Sequence, residues 1–455
     1  MDLSHRAQVV AKGFTQVFGI DYDKTFSPVA RFESLRLLLA LAALEDWEIH
    51  QMDVKSAFLN GLLDEEIYME QPEGFVDPDH PDKVCLLKKV IYGLKQASRP
   101  WNLQFHGVLL ELGFTRTKSD AGVYHREDDG GTTIIILYVD DITIISDSLK
   151  NINQVKSTLS KRYEMTDLGE IDSYLGVNIK RDRSVKRLEI DQSHYISEII
   201  NRFGLSDANP APTPLPAGAD VHLTKYDGEA SKADIKLYQQ MIGSLLYVQI
   251  GTRPDISFAV SRLAQYASNP SLHHIRLAKY VFCYLKGTSD LKLVYDGVLG
   301  NGLYSYSDSS WGDNLDDRHS TSGYVFLLAD AAISWCSRKQ KTAAQSTTEA
   351  EYMELAEAGN QAAWYRMFLE ELGYDVKDPI PLHEDNHGSV KLALNPVTGR
   401  KSKHIPIKYH VIRDYVENGQ VKLIKMPSNE ILANGLTKSF ARIKLSDFVS
   451  GLGLV

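Results

Sequence analysis

The segment Thr133-Ile-Ile-Ile-Leu-Tyr-Val-Asp140-Asp141-Ile-Thr-Ile-Ile-Ser146 constrains this chain more than any other. Two apolar arms rich in β-branched residues flank a pair of adjacent carboxylates. That is the pattern of a β-hairpin with Asp140 and Asp141 at its tip. Aspartate is a common turn residue, so a plain Asp turn is one reading. The tip lacks the glycine that the tightest two-residue turns favour. Side-by-side carboxylates on a rigid hairpin also repel one another unless a cation lies between them. A metal-binding tip is therefore the second reading.

The rest of the composition narrows the class. The 455 residues suit two to four domains. A hydrophobic content of 43% with 24% charged residues is that of a globular chain, not a disordered one. Apolar runs such as 134–139 fall well short of the roughly 20 residues of a membrane span, so no membrane association is expected. Met1–Arg6 lacks the apolar core of a signal peptide, which fits an intracellular protein or a piece of a longer parent. Cys85, Cys283 and Cys336 form no CxxC pair and read as structural thiols. The net charge of -9 weighs mildly against nucleic-acid binding. Basic residues nevertheless gather at Lys83, Lys88, Lys89 and Lys95, at 180–187, and at Arg400, Lys401, Lys403 and Lys408. Each cluster reads equally well as a solvated face.

The clearest linker signal is Asn209-Pro-Ala-Pro-Thr-Pro-Leu-Pro216, whose alternating prolines favour an extended strap. Helical periodicity marks 33–44, 193–203, 234–246, 255–267 and 272–285. From Leu303 the pattern becomes strand, strand, long helix, strand, helix. A domain boundary is expected near residue 300.

Further ordered motifs accompany the hairpin: Gln51-Met-Asp53-Val-Lys-Ser-Ala-Phe58-Leu-Asn-Gly61, Ile67-Tyr-Met-Glu-Gln-Pro-Glu-Gly-Phe75 and Tyr92-Gly93-Leu-Lys-Gln-Ala-Ser-Arg-Pro-Trp101. Val10–Gln16, Thr25–Ala30 and Leu175-Gly176-Val177 complete the set. Over nearly its whole length the chain resembles the reverse transcriptase and ribonuclease H region of copia-type LTR retrotransposon Pol polyproteins. The resemblance implies an α+β multidomain fold. A palm, fingers and thumb polymerase would precede a ribonuclease H-like mixed-sheet α/β domain. The expected divisions are 1–205 (truncated fingers, palm and start of the thumb), 206–300 (proline-rich strap and helical thumb or connection) and 301–445 (ribonuclease H-like). The implied activity is RNA-directed DNA polymerisation with ribonuclease H cleavage, ahead of DNA integration.

The resemblance makes Asp53, Asp140 and Asp141 catalytic metal ligands, with Asp53 and Asp140 bridging two ions and Asp141 the outer member. Two Mg²⁺ ions per active site are implied, with Mn²⁺ a possible substitute. Nucleotidyl transfer needs hard cations, and those need oxygen ligands. Phe58 would lie under the sugar and select deoxynucleotides, against the plainer reading of a core phenylalanine. Arg6, and less so Lys12, would face the triphosphate, and Gly93 would admit template or incoming base. Tyr174, Leu175 and Gly176 look like a primer grip, or simply close the palm core.

Tyr304–Asp308 reads as a strand delivering an acid to its end. Ser346-Thr-Thr-Glu349 opens a helix reaching about Leu372, with Gly373 as its stop. Ser346 and Glu349 have capping-box spacing, so a helix cap is the plain reading of Glu349. The resemblance instead makes Asp308, Glu349 and Asp385 the metal-binding acids of the ribonuclease H centre. The chain departs from the family at Asn434, where the closing motif carries aspartate, and at Pro406, where an acid is usual. Reduced or metal-demanding cleavage is expected. His404 and His410 read as surface residues.

The implied partners are RNA template, DNA primer, RNA/DNA hybrid and dNTPs, with a homodimer or other parts of a parent polyprotein possible. The family works in cytoplasmic virus-like particles. The chain starts only a few residues before the Val10–Gln16 motif, so finger strands are expected to be missing. A catalytically silent remnant that only binds hybrid, or a structural subunit, are the rival readings.

Overall fold

A computed structural model describes residues 9–128, 130–216, 218, 223–297, 300, 302–395 and 405–455. Arg6, His404 and the basic residues Arg400, Lys401 and Lys403 lie outside them. The chain forms two compact units, residues 1–31 with 47–171, and residues 32–46 with 172–455.

The first unit is built on a six-stranded antiparallel sheet. Its order is Thr115–Arg116, Val123–Asp128, Gly131–Tyr138, Asp141–Ser146, Glu48–Val54 and Met165–Glu170. The expected hairpin is present, with Tyr138 paired to Asp141 and Thr133 to Ser146. Ile134 through Leu137 are buried without a break, as a central strand covered on both faces would be. One sheet face packs on the helices Ser98–Glu111 and Leu149–Arg162. There Met52, Val54, Ile135 and Ile144 meet Trp101, Phe105, Ile152 and Leu159. A small antiparallel pair, Leu62–Met69 with Cys85–Lys89, shelters a second core of Ile67, Val90, Leu94 and Ala97.

In the second unit a five-stranded mixed sheet runs Ala331–Lys339, Thr321–Leu328, Tyr304–Ser310, Ile380–Glu384 and Val421–Lys425. The first three strands are antiparallel. Tyr304–Ser310, Ile380–Glu384 and Val421–Lys425 are parallel to one another. Parallel neighbours need crossovers, and the 25-residue helix Thr347–Glu371 lies between the first two in sequence. A four-stranded antiparallel sheet joins Leu293–Asp296, Arg187–Asp191, Val177–Asp182 and Ser173–Tyr174. The helices Lys232–Gly251, Ser257–Ala264 and Leu272–Gly287 complete this unit's middle segment.

These units do not divide at 205/206 and 300/301, where the sequence motifs place domain boundaries. The helix Phe32–Leu44 belongs to the second unit, although in the chain it lies between the Thr25–Ala30 and Gln51–Gly61 motifs. Its residues 34–43 are all buried, so one covering surface is not enough for it. The Arg36 guanidinium anchors it, donating to the carbonyls of Ile333 (2.7 Å), Ile250 (2.6 Å) and Gly251 (2.9 Å). It also lies 3.9 Å over the Trp335 ring. Strand Leu293–Asp296 likewise crosses the expected boundary by pairing with Arg187–Asp191.

The proline strap is neither helix nor strand; it bends over residues 212–215 and is docked. Ala211, Thr213 and Leu215 alternate inward, and Ala211 N–H donates to the Cys283 carbonyl at 3.1 Å. Among the described residues no helix is long and apolar enough to cross a membrane.

Candidate active sites

In the first unit Asp53 and Asp141 are directly opposed across the antiparallel pair of Glu48–Val54 with Asp141–Ser146. Opposed residues project to the same face, so sequence positions 88 residues apart converge there. Asp140 occupies the turn beside them, its carbonyl accepting from Val54 N–H at 3.1 Å. The other turn residue, Val139, has φ 58, an uncommon conformation for a β-branched side chain. Its carbonyl accepts the Trp101 indole N–H at 2.6 Å. The left-handed turn residue is thus a valine held from outside instead of a glycine.

Burial pushes the Asp141 carboxyl above its ordinary range, and the charges of Asp140 and Asp53 push the same way, while a Gln51 hydrogen bond pulls it back. Burial also raises Tyr92, with the Asp140 charge adding to it. The Tyr92 hydroxyl reaches Asp140 Oδ2 at 3.5 Å, the outer limit of a hydrogen bond. An Asp141 carboxyl raised by two acidic neighbours would gain from a cation beside it. The three do not all close to within 4.8 Å, since Asp53, Asp140 and Asp141 are not among the ligand groups that do.

The half-buried Phe58 packs on Tyr92, with ring centroids 4.5 Å apart. Gly93, at φ 94, has a steric reason that needs no ligand, because a Cβ there would come within 2.1 Å of the Ala11 carbonyl. The backbone that approaches Gly93 on its Cβ side is the chain's own. Lys12 is exposed.

Tyr174, Leu175 and Gly176 form a tight hairpin in the second unit. Leu175 (φ 49) and Gly176 (φ 70) are both left-handed, as a two-residue turn of this hand demands. Tyr174 is only 2% exposed, so its side chain is part of the packed interior beside the hairpin. The exposed part of the expected grip is the Leu175-Gly176 turn, whose Leu175 carbonyl accepts the Tyr247 hydroxyl.

The second acidic centre lies on the mixed sheet. Asp308 comes from strand Tyr304–Ser310, and Asp385 directly follows strand Ile380–Glu384, parallel to it. The third acid is Glu351, not Glu349. Ligand atoms of Asp308, Glu351 and Asp385 all lie within 4.8 Å of one another. Glu349 caps its helix: its N–H donates to Ser346 Oγ at 3.2 Å, and its Oε2 accepts from Gln345 N–H at 2.7 Å. The capping pattern visible in the sequence therefore describes Glu349 correctly. With Glu349 occupied at the cap, Glu351 was the acid left to face the sheet.

Burial raises both Asp308 and Glu351. For Asp308, Lys438 and Thr437 oppose the shift; for Glu351, the charges of Glu384, Asp308 and Asp385 add to it. Glu384 is fully buried behind the centre and is also raised by burial. It accepts from Ser307 Oγ at 2.9 Å and from Asn386 N–H at 3.0 Å.

Asn434 lies in the short helix Leu432–Leu436 and turns its amide to its own loop. Nδ2 donates to the carbonyls of Ser428 (2.6 Å) and Ile431 (2.8 Å). Two neighbours that the motifs did not single out engage Asp308 instead. Thr437 donates its hydroxyl to Oδ2, and Lys438 Nζ stands 3.9 Å from the same oxygen. Beside this loop opens a cavity of about 630 Å³ lined by Glu430, Asn434, Lys438, Phe440 and Lys444, among others. His410 is drawn in from the surface, its Nδ1 2.9 Å from the Tyr352 hydroxyl.

Two clusters of acidic side chains, each mounted on the sheet of its own compact unit, mark a mixed α/β protein. Residues 1–217 match the family model described as reverse transcriptase (RNA-dependent DNA polymerase). The chain is 38% identical over 97% of its length to the "Retrovirus-related Pol polyprotein from transposon TNT 1-94" of Nicotiana tabacum, covering 33% of that protein. It is 36% identical over 99% of its length to the corresponding polyprotein from transposon RE1 of Arabidopsis thaliana, covering 30% of it. A putative transposon Ty5-1 protein of Saccharomyces cerevisiae is 37% identical over 67% of this chain and 98% of its own length. The chain belongs to the copia-type retrotransposon Pol family and contains its reverse transcriptase region. It spans about a third of the two plant polyproteins.

Proposed function

We propose that the chain is an RNA-directed DNA polymerase with an attached ribonuclease H centre, each working with two Mg²⁺ ions. The observation that carries this reading is the direct opposition of Asp53 and Asp141 beside Asp140. The donor set fits the ion: side-chain oxygens only, partly shielded from water, with Asp141 raised by burial and by its two neighbours. Mg²⁺, or Mn²⁺ in its place, would align the primer hydroxyl with the triphosphate and neutralise developing charge.

The chain's own residues supply the positioning. Trp101 fixes the turn through Val139, and the Val54 N–H fixes Asp140. Phe58, braced on Tyr92, walls the side of the centre and is the candidate for rejecting a ribose 2′-hydroxyl. In the second centre Asp308, Glu351 and Asp385 would hold the ions, with Glu384 buried behind them and supported by Ser307. RNA template, DNA primer, hybrid and dNTPs are the matching partners. A cytoplasmic virus-like particle is the matching location.

Primer extension on an RNA template in Mg²⁺ tests the polymerase reading. The chain should extend, and Asp140→Asn should lose at least about 100-fold, a typical loss when electrostatic stabilisation of a transition state is removed. Extension equal in the two proteins rejects it.

A second reading, hybrid binding with weak cleavage, is favoured by Asn434, which spends its amide on backbone carbonyls where the family has an acid. Asn434→Asp separates the two. It should raise hybrid cleavage if the missing charge is what limits the centre.

A further inference from the structure

On the face of the first unit's sheet opposite Asp53, a second set of ligand atoms comes together. One ligand atom each from Glu48, His50 and Glu170 lies within 4.8 Å of the others. Strand geometry builds this group. His50 is directly opposed to Glu170 across the pair of Glu48–Val54 with Met165–Glu170, and Glu48 lies two residues along the same strand face. Asp53, three residues beyond His50, projects to the other face, so the group is separate from the polymerase centre.

The imidazole gives an independent sign. His50 Nδ1 lies 2.8 Å from Lys156 Nζ, and that ammonium is matched by Asp167 at 2.5 Å. An ammonium donating to Nδ1 leaves Nε2 as the ring atom available to a ligand. Nε2 is shut away from solvent and has no hydrogen-bond partner among the described residues. A buried ring nitrogen of this kind is costly unless something bonds to it. Lys156 is engaged by Asp167, so its charge is balanced without Glu48 or Glu170.

We propose that Glu48, His50 and Glu170 form a binding site for one divalent cation of the Zn²⁺ class. One imidazole nitrogen and two carboxylates suit a borderline metal, whereas Mg²⁺ prefers oxygen alone. Three protein ligands leave the fourth tetrahedral position to water. In the bound form the ring is neutral, with Nε2 on the metal and its single proton moved to Nδ1, while the Lys156 ammonium stays on Asp167. The bound metal clamps Glu48–Val54 to Met165–Glu170, and so stiffens the strand that carries Asp53 on its other face.

The test uses the full chain in excess Mg²⁺, which occupies the all-oxygen centres, titrated with Zn²⁺ by calorimetry. The unmodified chain should take up one more equivalent of Zn²⁺ than Glu170→Gln, or bind it at least tenfold more tightly, and His50→Asn should behave like Glu170→Gln. Zn²⁺ should raise the melting temperature of the unmodified chain and leave that of Glu170→Gln unmoved. Glu170 is exposed, so its conservative replacement leaves the fold intact whatever His50→Asn does. Equal Zn²⁺ stoichiometry and affinity in the unmodified chain and Glu170→Gln overturns the site. Primer extension is not read in this experiment, so its outcome is independent of the polymerase assignment.

Discussion

The Trp101 indole donates to the carbonyl of Val139, the one residue of the acidic hairpin turn whose φ is positive, at 58. A left-handed β-branched residue costs roughly 1–2 kcal/mol, which the buried indole hydrogen bond offsets. Val139→Gly removes that strain and also loosens the turn that presents Asp140. Thermal stability should change by no more than about 1 kcal/mol, while primer extension falls at least tenfold. Full extension by Val139→Gly would show that the held turn has no part in the chemistry.

Tyr247 performs a similar service for the Leu175-Gly176 turn, donating to the Leu175 carbonyl while its ring packs on Phe32 and Tyr195. Tyr247→Phe keeps those ring contacts and removes only the hydroxyl. The loss in stability should be about 1 kcal/mol, that of a single hydrogen bond. If the turn grips a primer, the apparent affinity for primer-template weakens several-fold while maximal extension rate is kept. An unchanged primer-template affinity in Tyr247→Phe counts against the grip.

How far the sequence could be read depended on whether the deciding contacts were local. The 133–146 hairpin was legible because both its alternation and its turn lie within one short window. The strap was legible as neither helix nor strand because four alternating prolines leave few conformations. The helix 32–44 was legible as a helix, but its partner was not. Arg36 bonds to Ile333, nearly 300 positions away, and no local pattern encodes that choice of surface. Gly93 announced a close approach without saying whose backbone would make it. Thr437 and Lys438 carry no signature of their own, because they matter only through a loop that folds back onto Asp308. Glu349 and Glu351 differ by two positions on one helix, which is more than half a turn. Only the capping geometry decides which of them faces the sheet.

That decision can be checked directly. Glu351→Gln removes a buried ionisable carboxyl beside Asp308 and Asp385, so hybrid cleavage should fall at least 100-fold while the fold is kept or strengthened. Glu349→Gln retains an oxygen able to accept from Gln345 N–H. It should cost under about 1 kcal/mol and leave cleavage within roughly threefold. Cleavage assays on both variants, with melting curves for each, would reverse the assignment if Glu349→Gln proved the damaging one.

Glu354, one turn further along the same helix, gives the chain a pH-dependent weakness. It is fully buried, and burial raises its carboxyl to about 8 despite the opposing pull of Ser322 and Arg338. Its ordinary value is 4.5, so the folded state holds this proton over a range in which the unfolded chain has released it. A raised acid stabilises the fold least at high pH. Its contribution is undiminished below the unfolded pKa and declines as pH rises toward the folded one. By pH 7 the decline amounts to on the order of 3 kcal/mol. Glu354→Gln cannot ionise and keeps a hydrogen-bonding side chain of the same shape, so it is free of this decline. Melting temperatures measured from pH 5 to pH 8 should therefore fall less steeply for Glu354→Gln than for the unmodified chain, with the variant the more stable of the two at pH 8. Parallel curves across that range would mean that Glu354 does not carry its proton in the folded state.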